Sequence, residues 1–373
     1  MISIKSIKGK IGMNKFINFP NVLYKNNTYY VPPLFIQQKH LFNQRKNPFL
    51  SHSTIKCIMA FKNKKPCGRL AAITYNYKDH YVKQKTTYFG FYDVINDLAV
   101  SNELFNHLVE NHIDQDCKTL IGPVNPTTND TCALLIDGFE SAPVVGMPYN
   151  NDYYEKFLFE YGFKSRDILY AYSMAGDQVK DRLGKLSSDI SRRLGSMNIH
   201  FRNVNYKSPL ADLKQLYELY HSSNVSNPIF MPMCWEEFHK MAMDIKSITS
   251  VNHIVVATHG ENIVGYIVAI PNINEILIKI KNGKLFPFGF LHLIGRKRFH
   301  SARILILGVL EKYRNLGIDV YLYNRITENL ADSGIVAGEA AYVHEKNNNL
   351  VPILKKLGGF PIKKYGLYEL ILR

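Results

Sequence analysis

Ala302 to Leu322 reads ARILILGVLEKYRNLGIDVYL, and the order of patterns within it decides the fold class. Ile304, Leu305, Ile306 and Leu307 form an apolar run too short for a core helix and rich in β-branched residues, which predicts a buried strand. Glu311-Lys312-Tyr313-Arg314-Asn315-Leu316-Gly317 then breaks the pattern. After it, Val320, Leu322, Ile326 and Leu330 recur at helical spacing. Strand, glycine-containing turn and helix in this order make an α/β unit. The helix N-terminus collects unpaired backbone N–H groups and the positive end of the helix dipole, and so suits an anion such as phosphate. Asp319 has the chemistry of an N-cap.

The chain has 373 residues, 46% of them apolar, enough to fill two cores of ordinary size. No apolar run approaches the roughly 20 residues of a membrane span, and Met1 to Lys10 lacks a signal-peptide core, so a cytoplasmic location is expected. Cys57, Cys67, Cys117, Cys132 and Cys234 show no C-x-x-C spacing. That argues against a zinc site and against a disulfide framework, and no metal is expected. The formal charge of +15 calls for an anionic partner. Much of the excess reads as dispersed lysine, as in Lys62-Asn63-Lys64-Lys65, and no nucleic-acid module is recognisable, which disfavours nucleic acid.

The sequence also repeats itself. Ala60, Gly68 and Ala72 have the spacing of Ala257, Gly265 and Ala269, and both these sets and Gly162-Phe163 against Gly359-Phe360 stand 197 residues apart. Leu23-Tyr24 and Leu219-Tyr220 stand 196 apart. Each copy opens with a helical pattern (14–24 and 210–221), followed by a Pro-containing loop. A hairpin comes next: 55–61 with 68–75, and 253–258 with 263–270. Two domains follow, 1–175 and 199–373, joined by a helix over 176–198. That helix carries Val179, Leu183, Leu186, Ile190 and Leu194 on one stripe, with Arg182, Lys185, Arg192 and Arg193 read as a solvated face. In the first copy the central strand is 88–94, but the turn after it has neither the arginine nor the glycine.

Val309-x-x-x-Tyr313-Arg314-x-x-Gly317-Ile318 resembles the acyl-CoA pyrophosphate loop of the GNAT superfamily of N-acetyltransferases, with Asp319 where a small residue is expected. The order of elements in each copy is similar to the GNAT fold. Together with VPPL at 31–34, GPVNPTTND at 122–130 and LGGFPIKKYGLYEL at 357–370, it resembles tandem-GNAT bacterial proteins. The resemblance implies an α/β fold of mixed sheets in two tandem GNAT-like domains, the first degenerate. It also implies an N-acyltransferase using acetyl-CoA or a longer acyl-CoA as co-substrate. Pantetheine would meet the strand backbone at Leu307, Gly308 and Val309. The pyrophosphate would meet Arg314, Asn315, Leu316, Gly317, Ile318 and Asp319, with Asn347 nearby, and an oxyanion donor is expected near Gly308 and Val309. A catalytically inactive GNAT-derived binding module is the alternative, as is an amino-lipid N-acyltransferase at a membrane surface.

Acyl transfer to a primary amine needs a base for the amine and an acid for the leaving thiolate. A strand is expected over 335–343, with Glu339, Ala341 and Val343 on one face and Ala340, Tyr342 and His344 on the other. Glu339 among apolar neighbours is a candidate base, unless arginines such as Arg69 satisfy it. Tyr342 is a candidate acid or a core aromatic, and Glu345 is a further catalytic candidate. The long loop of the first copy offers Asn125, Asn129 and Tyr149 for a small or lipid-like amine acceptor held between the domains, or else packs between them. Residues 276–300 mix Phe286, Phe288 and Phe290 with Arg296, Lys297 and Arg298. They suit either peripheral contact with the inner membrane surface or an ordinary helix.

Overall fold

The computed structural model describes residues 1–75, 86–114, 116–205, 209–285 and 298–372. The aromatic and basic residues proposed for lipid contact at 286–297 therefore lie outside the described residues. Two compact units emerge, neither a single stretch of chain: Met1–Ile168 with Ile276–Gly295 and Lys364–Arg373, and Leu169–Glu275 with Arg296–Lys363.

The first unit runs β1 (Ile2–Ser6), α1 (Gly9–Leu23), α2 (Phe35–Leu41), β2 (Ser53–Lys62), β3 (Lys65–Tyr75), β4 (Thr86–Val94) and α3 (Leu98–His112). After β5 (Thr119–Gly122), the long loop contains the pair β6 (Val124–Asn125) and β7 (Thr131–Cys132), then β8 (Leu134–Asp137) and α4 (Tyr153–Tyr161). β1 to β4 are antiparallel neighbours, and β4 pairs in parallel with β5. Alternating apolar positions of β2, β3 and β4 bury Ile58, Leu70 and Phe89 against Leu104, Phe105 and Tyr154 from the helices. Gly162, at φ 108°, ends α4 with bonds from its own N–H to Phe159 and from Phe163 N–H to Leu158. Such a left-handed C-terminal cap favours glycine.

The second unit starts within β9 (Lys164–Ala175) and continues α5 (Gly176–Ser196), β10 (Ile199–Asn203), α6 (Pro209–Asn224), α7 (Trp235–Ile248), β11 (Ile254–His259) and β12 (Asn262–Pro271). It then has β13 (Ser301–Val309), α8 (Ile318–Asp332), β14 (Ala337–His344) and α9 (Leu350–Lys356). The sheet order is β10-β11-β12-β13-β14-β9, antiparallel except for β13 with β14. Leu322, Ile326 and Leu330 of α8 and Val179, Leu183 and Leu194 of α5 bury one face of it. The final strand, β15 (Phe360–Ile371), places Tyr368 opposite Gly122 of β5, within the first unit.

The hairpins of the two repeats share one register. Ile2 pairs with Lys62 and Ile199 with His259; Ala60 pairs with Gly68 and Ala257 with Gly265. A register shift follows Ala60 in one hairpin and Ala257 in the other. At the end of each half the match is one residue out. The left-handed glycine equivalent to Gly162 is Gly358, at φ 87°, with the Gly359 N–H bonded to Leu354. All five cysteines are free thiols. No helix among the described residues is long and apolar enough to cross a membrane.

Candidate functional site

β13 is held by β12 along its whole length, but its parallel pairing with β14 stops at Ile304↔Ala340. At the same point Leu305 is extra in the ladder with β12, since Ala269 faces Ile304 and Val268 faces Ile306. A bulge of this kind adds twist to its strand, and the two parallel strands part beyond it. From Leu305 to Val309 one backbone edge of β13 therefore has no strand partner among the described residues, and Leu305, Ile306 and Leu307 are half-exposed. The strands part at Leu305, and Gly308 and Val309, near which an oxyanion donor is expected from sequence, lie further along the same edge, where the ladder with β12 is regular. Gly308 is required for packing: a Cβ there would lie 2.5 Å from the Tyr266 ring and 2.7 Å from Ser223 Oγ.

The turn after β13 closes with one 3-10 turn at Glu311–Tyr313, then Asn315 at φ 63° and Gly317 at φ 84°. Gly317, not Asp319, is the N-cap of α8, and no side chain caps that helix. The first intrahelical bond is Tyr321 N–H to Gly317 O, so the N–H groups of Ile318, Asp319 and Val320 remain as the open end of the dipole. Asp319 sits in the first turn, half-buried, and its charge helps burial to raise the pKa of Tyr323. Exposed Arg314 lies back on the carbonyls of Val309 (3.4 Å) and Ser223 (3.5 Å). Arg193 of α5 donates to Leu316 O at 2.8 Å, and Arg182 donates to Lys356 O at 2.9 Å. These two arginines stay exposed, as a solvated face requires, and each also bonds a loop or helix-end carbonyl. Sequence reasoning missed Arg193 because helical spacing shows which stripe is polar, not what lies opposite it.

Glu339 stands opposite Arg303, one pair before the strands part. Both are buried, on the face of the sheet away from Ala302, Ile304 and Ala340, which join the α5–α8 core. Burial pushes the Glu339 carboxyl up to about 7, opposed by the positive charges of Arg303 and buried Lys363. Its Oε1 has no hydrogen-bond partner among the described residues. Arg69, the sequence candidate for neutralising it, is committed to Asp93 at 2.7 Å. Arg303 donates twice to Ala341 O (3.1 and 3.0 Å) and stacks over the Tyr342 ring. Glu339 and Tyr342 therefore meet around one guanidinium. The expected alternation does not persist past Ala340, because the β14–β9 register shifts before Val343. Glu345 is exposed in the following turn. Asn347 Oδ1 accepts from Leu350 N–H at 3.0 Å at the start of α9, whose N-cap is Asn349, and His344 is buried.

The corresponding corner of the first unit is filled by its own chain. Gly68 faces Val94 as Gly265 faces Val309, which aligns the ends of β4 and β13. Along β4, Asn125 Oδ1 accepts from Phe91 N–H (2.5 Å), Tyr154 Oη accepts from Val94 N–H (2.9 Å), and Tyr153 Oη donates to Val94 O (2.8 Å). At the helix N-terminus, the Asp97 carboxylate caps α3 through Ala99 N–H and pairs with Lys62. An internal anion thus occupies the place left open at Gly317. Asn125, named from sequence as an acceptor ligand, is instead part of this plug. Tyr149 is likewise engaged internally, accepting from Asn27 and donating to Phe139 O. The Asn129 N–H donates to Thr127 Oγ1 in the same loop.

No family model matches the chain. It is 29% identical to "Protein YghO" of Escherichia coli over 377 residues, covering 98% of this chain and 94% of that protein. It is 26% identical over 381 residues to the "Bacterial ceramide synthase" of Caulobacter vibrioides, with 99% and 97% covered. Among solved structures it superposes on a tandem GNAT protein from the clavulanic acid biosynthesis pathway with a TM-score of 0.59 at 10% identity, over 100% of this chain and 98% of that one. Two repeated units, each with a forked parallel pair at its central strand, account for that likeness: the chain has the tandem GNAT fold.

Proposed function

We propose that the protein is an acyl-CoA-dependent N-acyltransferase whose co-substrate site is the fork and turn of the second unit. The contrast between the two corners carries the reading. One has its strand edge bonded by tyrosine and asparagine side chains and its helix capped by Asp97, whereas the other has, among the described residues, no strand partner along its edge and no side-chain cap on its helix beside Arg314. Pantetheine amides fit that edge of β13, and a pyrophosphate fits the N–H groups of Ile318 to Val320 with Arg314 as counter-charge.

In this reading the Glu339 carboxylate takes a proton from the acceptor amine, whose nitrogen attacks the thioester carbon. N–H groups at the Leu305 fork stabilise the oxyanion, the C–S bond breaks, and the Tyr342 hydroxyl supplies the proton that the thiolate gains. Arg303 holds Glu339 and Tyr342 in place. The acceptor proposed is a primary amine, and the ceramide synthase relative favours an amine carried on a lipid.

Calorimetric titration with acetyl-CoA and long-chain acyl-CoAs tests the site. Saturable binding is expected. Gly317→Trp should abolish it, since the indole would meet Ile190 and Arg193 and cover the N–H groups. Because φ 84° also strains any side chain there, Arg314→Ala is the companion variant, expected to weaken binding about tenfold with an unchanged melting temperature. No binding of either thioester by the wild-type chain overturns the reading. Binding without thiol release across a panel of amines, sphingoid bases included, would reduce the protein to a binding module.

A further inference from the structure

The excess charge is not dispersed. Residues 1–78 hold 14 of the 46 Lys and Arg and none of the 31 Asp and Glu, so the rest of the chain is close to neutral. Among the described residues of this stretch, Lys62 and Arg69 are paired with carboxylates, and both partners, Asp97 and Asp93, come from later in the unit. Of the remaining lysines, Lys8, Lys10, Lys15 and Lys25 lie on or flank α1. One face of that helix is buried through Phe16, Ile17, Phe19 and Pro20. The opposite face presents Ile11, Lys15 and Val22, spaced by four and seven residues and therefore in one line along about three turns. Lys8 and Lys25 stand just outside the two helix ends. Ile11 is 76% and Val22 60% exposed.

We infer that this face of α1 docks the protein on an anionic lipid bilayer. Long-range attraction would come from lysines with no neighbouring acid in the sequence, each worth about fivefold in binding near a charged membrane. Interleaved aliphatics supply the part that a purely ionic partner would not use. Ile11 and Val22 are fully placed to enter the acyl boundary while the lysine stems reach to the headgroups. A nucleic-acid surface would call for polar or aromatic side chains between the cations, not for Ile and Val. The inference goes beyond acyl transfer and stands without it, since binding is measured in the absence of any substrate.

Cosedimentation of the full chain with vesicles tests it. Phosphatidylcholine vesicles containing about 30% phosphatidylglycerol should carry the protein down at low salt, while phosphatidylcholine alone should not, and about 0.5 M salt should release it. Combining Lys8→Ser, Lys15→Ser and Lys25→Ser should weaken binding about 100-fold. The pair Ile11→Ser and Val22→Ser, at unchanged charge, should weaken it about tenfold. All five positions are exposed, and melting temperatures should stay near wild type. Failure of the wild type to bind anionic vesicles overturns the inference, as does binding that neither set of substitutions alters. If only the lysine set matters and a DNA duplex binds with the same dependence by fluorescence anisotropy, the face is a polyanion surface and the membrane inference fails.

Discussion

Glu339→Gln should lower acyl-transfer turnover by about 10²–10⁴-fold, the usual contribution of a positioned base, with acyl-CoA affinity retained. The amide keeps the shape of the side chain but cannot accept the amine proton. In the wild type the carboxyl is raised to about 7 by burial, with Arg303 and Lys363 acting against that rise. Only the ionised form is a base, so kcat/KM should climb about tenfold per pH unit below 7 and level off above it. The variant should lose that limb.

Stability should move the other way. A carboxyl whose folded pKa lies above its unfolded value holds its proton more tightly in the folded state, so ionising it costs stability as pH rises through 7. Glutamine has no such cost. Relative to wild type, the variant's melting temperature should therefore rise between pH 5.5 and pH 8.5. A Glu339→Gln protein with normal turnover would remove Glu339 from the chemistry, and one that lost thioester binding as well would show a structural defect instead.

Gly90→Ala should destabilise the protein by about 4 kcal/mol or more, in the range reserved for severe core disruption. A Cβ at Gly90 would lie 1.6 Å from the Val124 carbonyl oxygen and 2.8 Å from its carbon. Those are backbone atoms, so no rotamer change relieves the overlap. The same approach brings Asn125 onto Phe91 N–H, which makes Gly90 the residue that lets the first unit's strand edge be plugged. Gly184→Ala, within α5 and with nothing near its Cβ position, is the control: it should stabilise by about 0.5–1 kcal/mol because glycine weakens a helix interior. Chemical denaturation of both variants checks the pair. Equal stability of Gly90→Ala and wild type would contradict the close packing of β4 on the loop.

By itself the sequence determined the local elements and their repetition. The run at Ile304–Leu307 and the periodicity through Leu330 mark β13 and α8, because side-chain period follows from backbone geometry alone. Gly317 at a turn and Glu339 in an apolar strand were legible for the same reason: a glycine before a helix and a carboxylate among aliphatics are local anomalies. What lies opposite each residue was not legible. That Asn125 bonds Phe91, that Arg193 reaches Leu316 and that Arg303 faces Glu339 all depend on which segments meet across the fold. Such partners are separated by tens to hundreds of residues. The fork after Ile304 is the clearest case. A strand's periodicity continues unbroken to Val309, and only the tertiary pairing decides that β14 leaves it halfway and exposes a backbone edge.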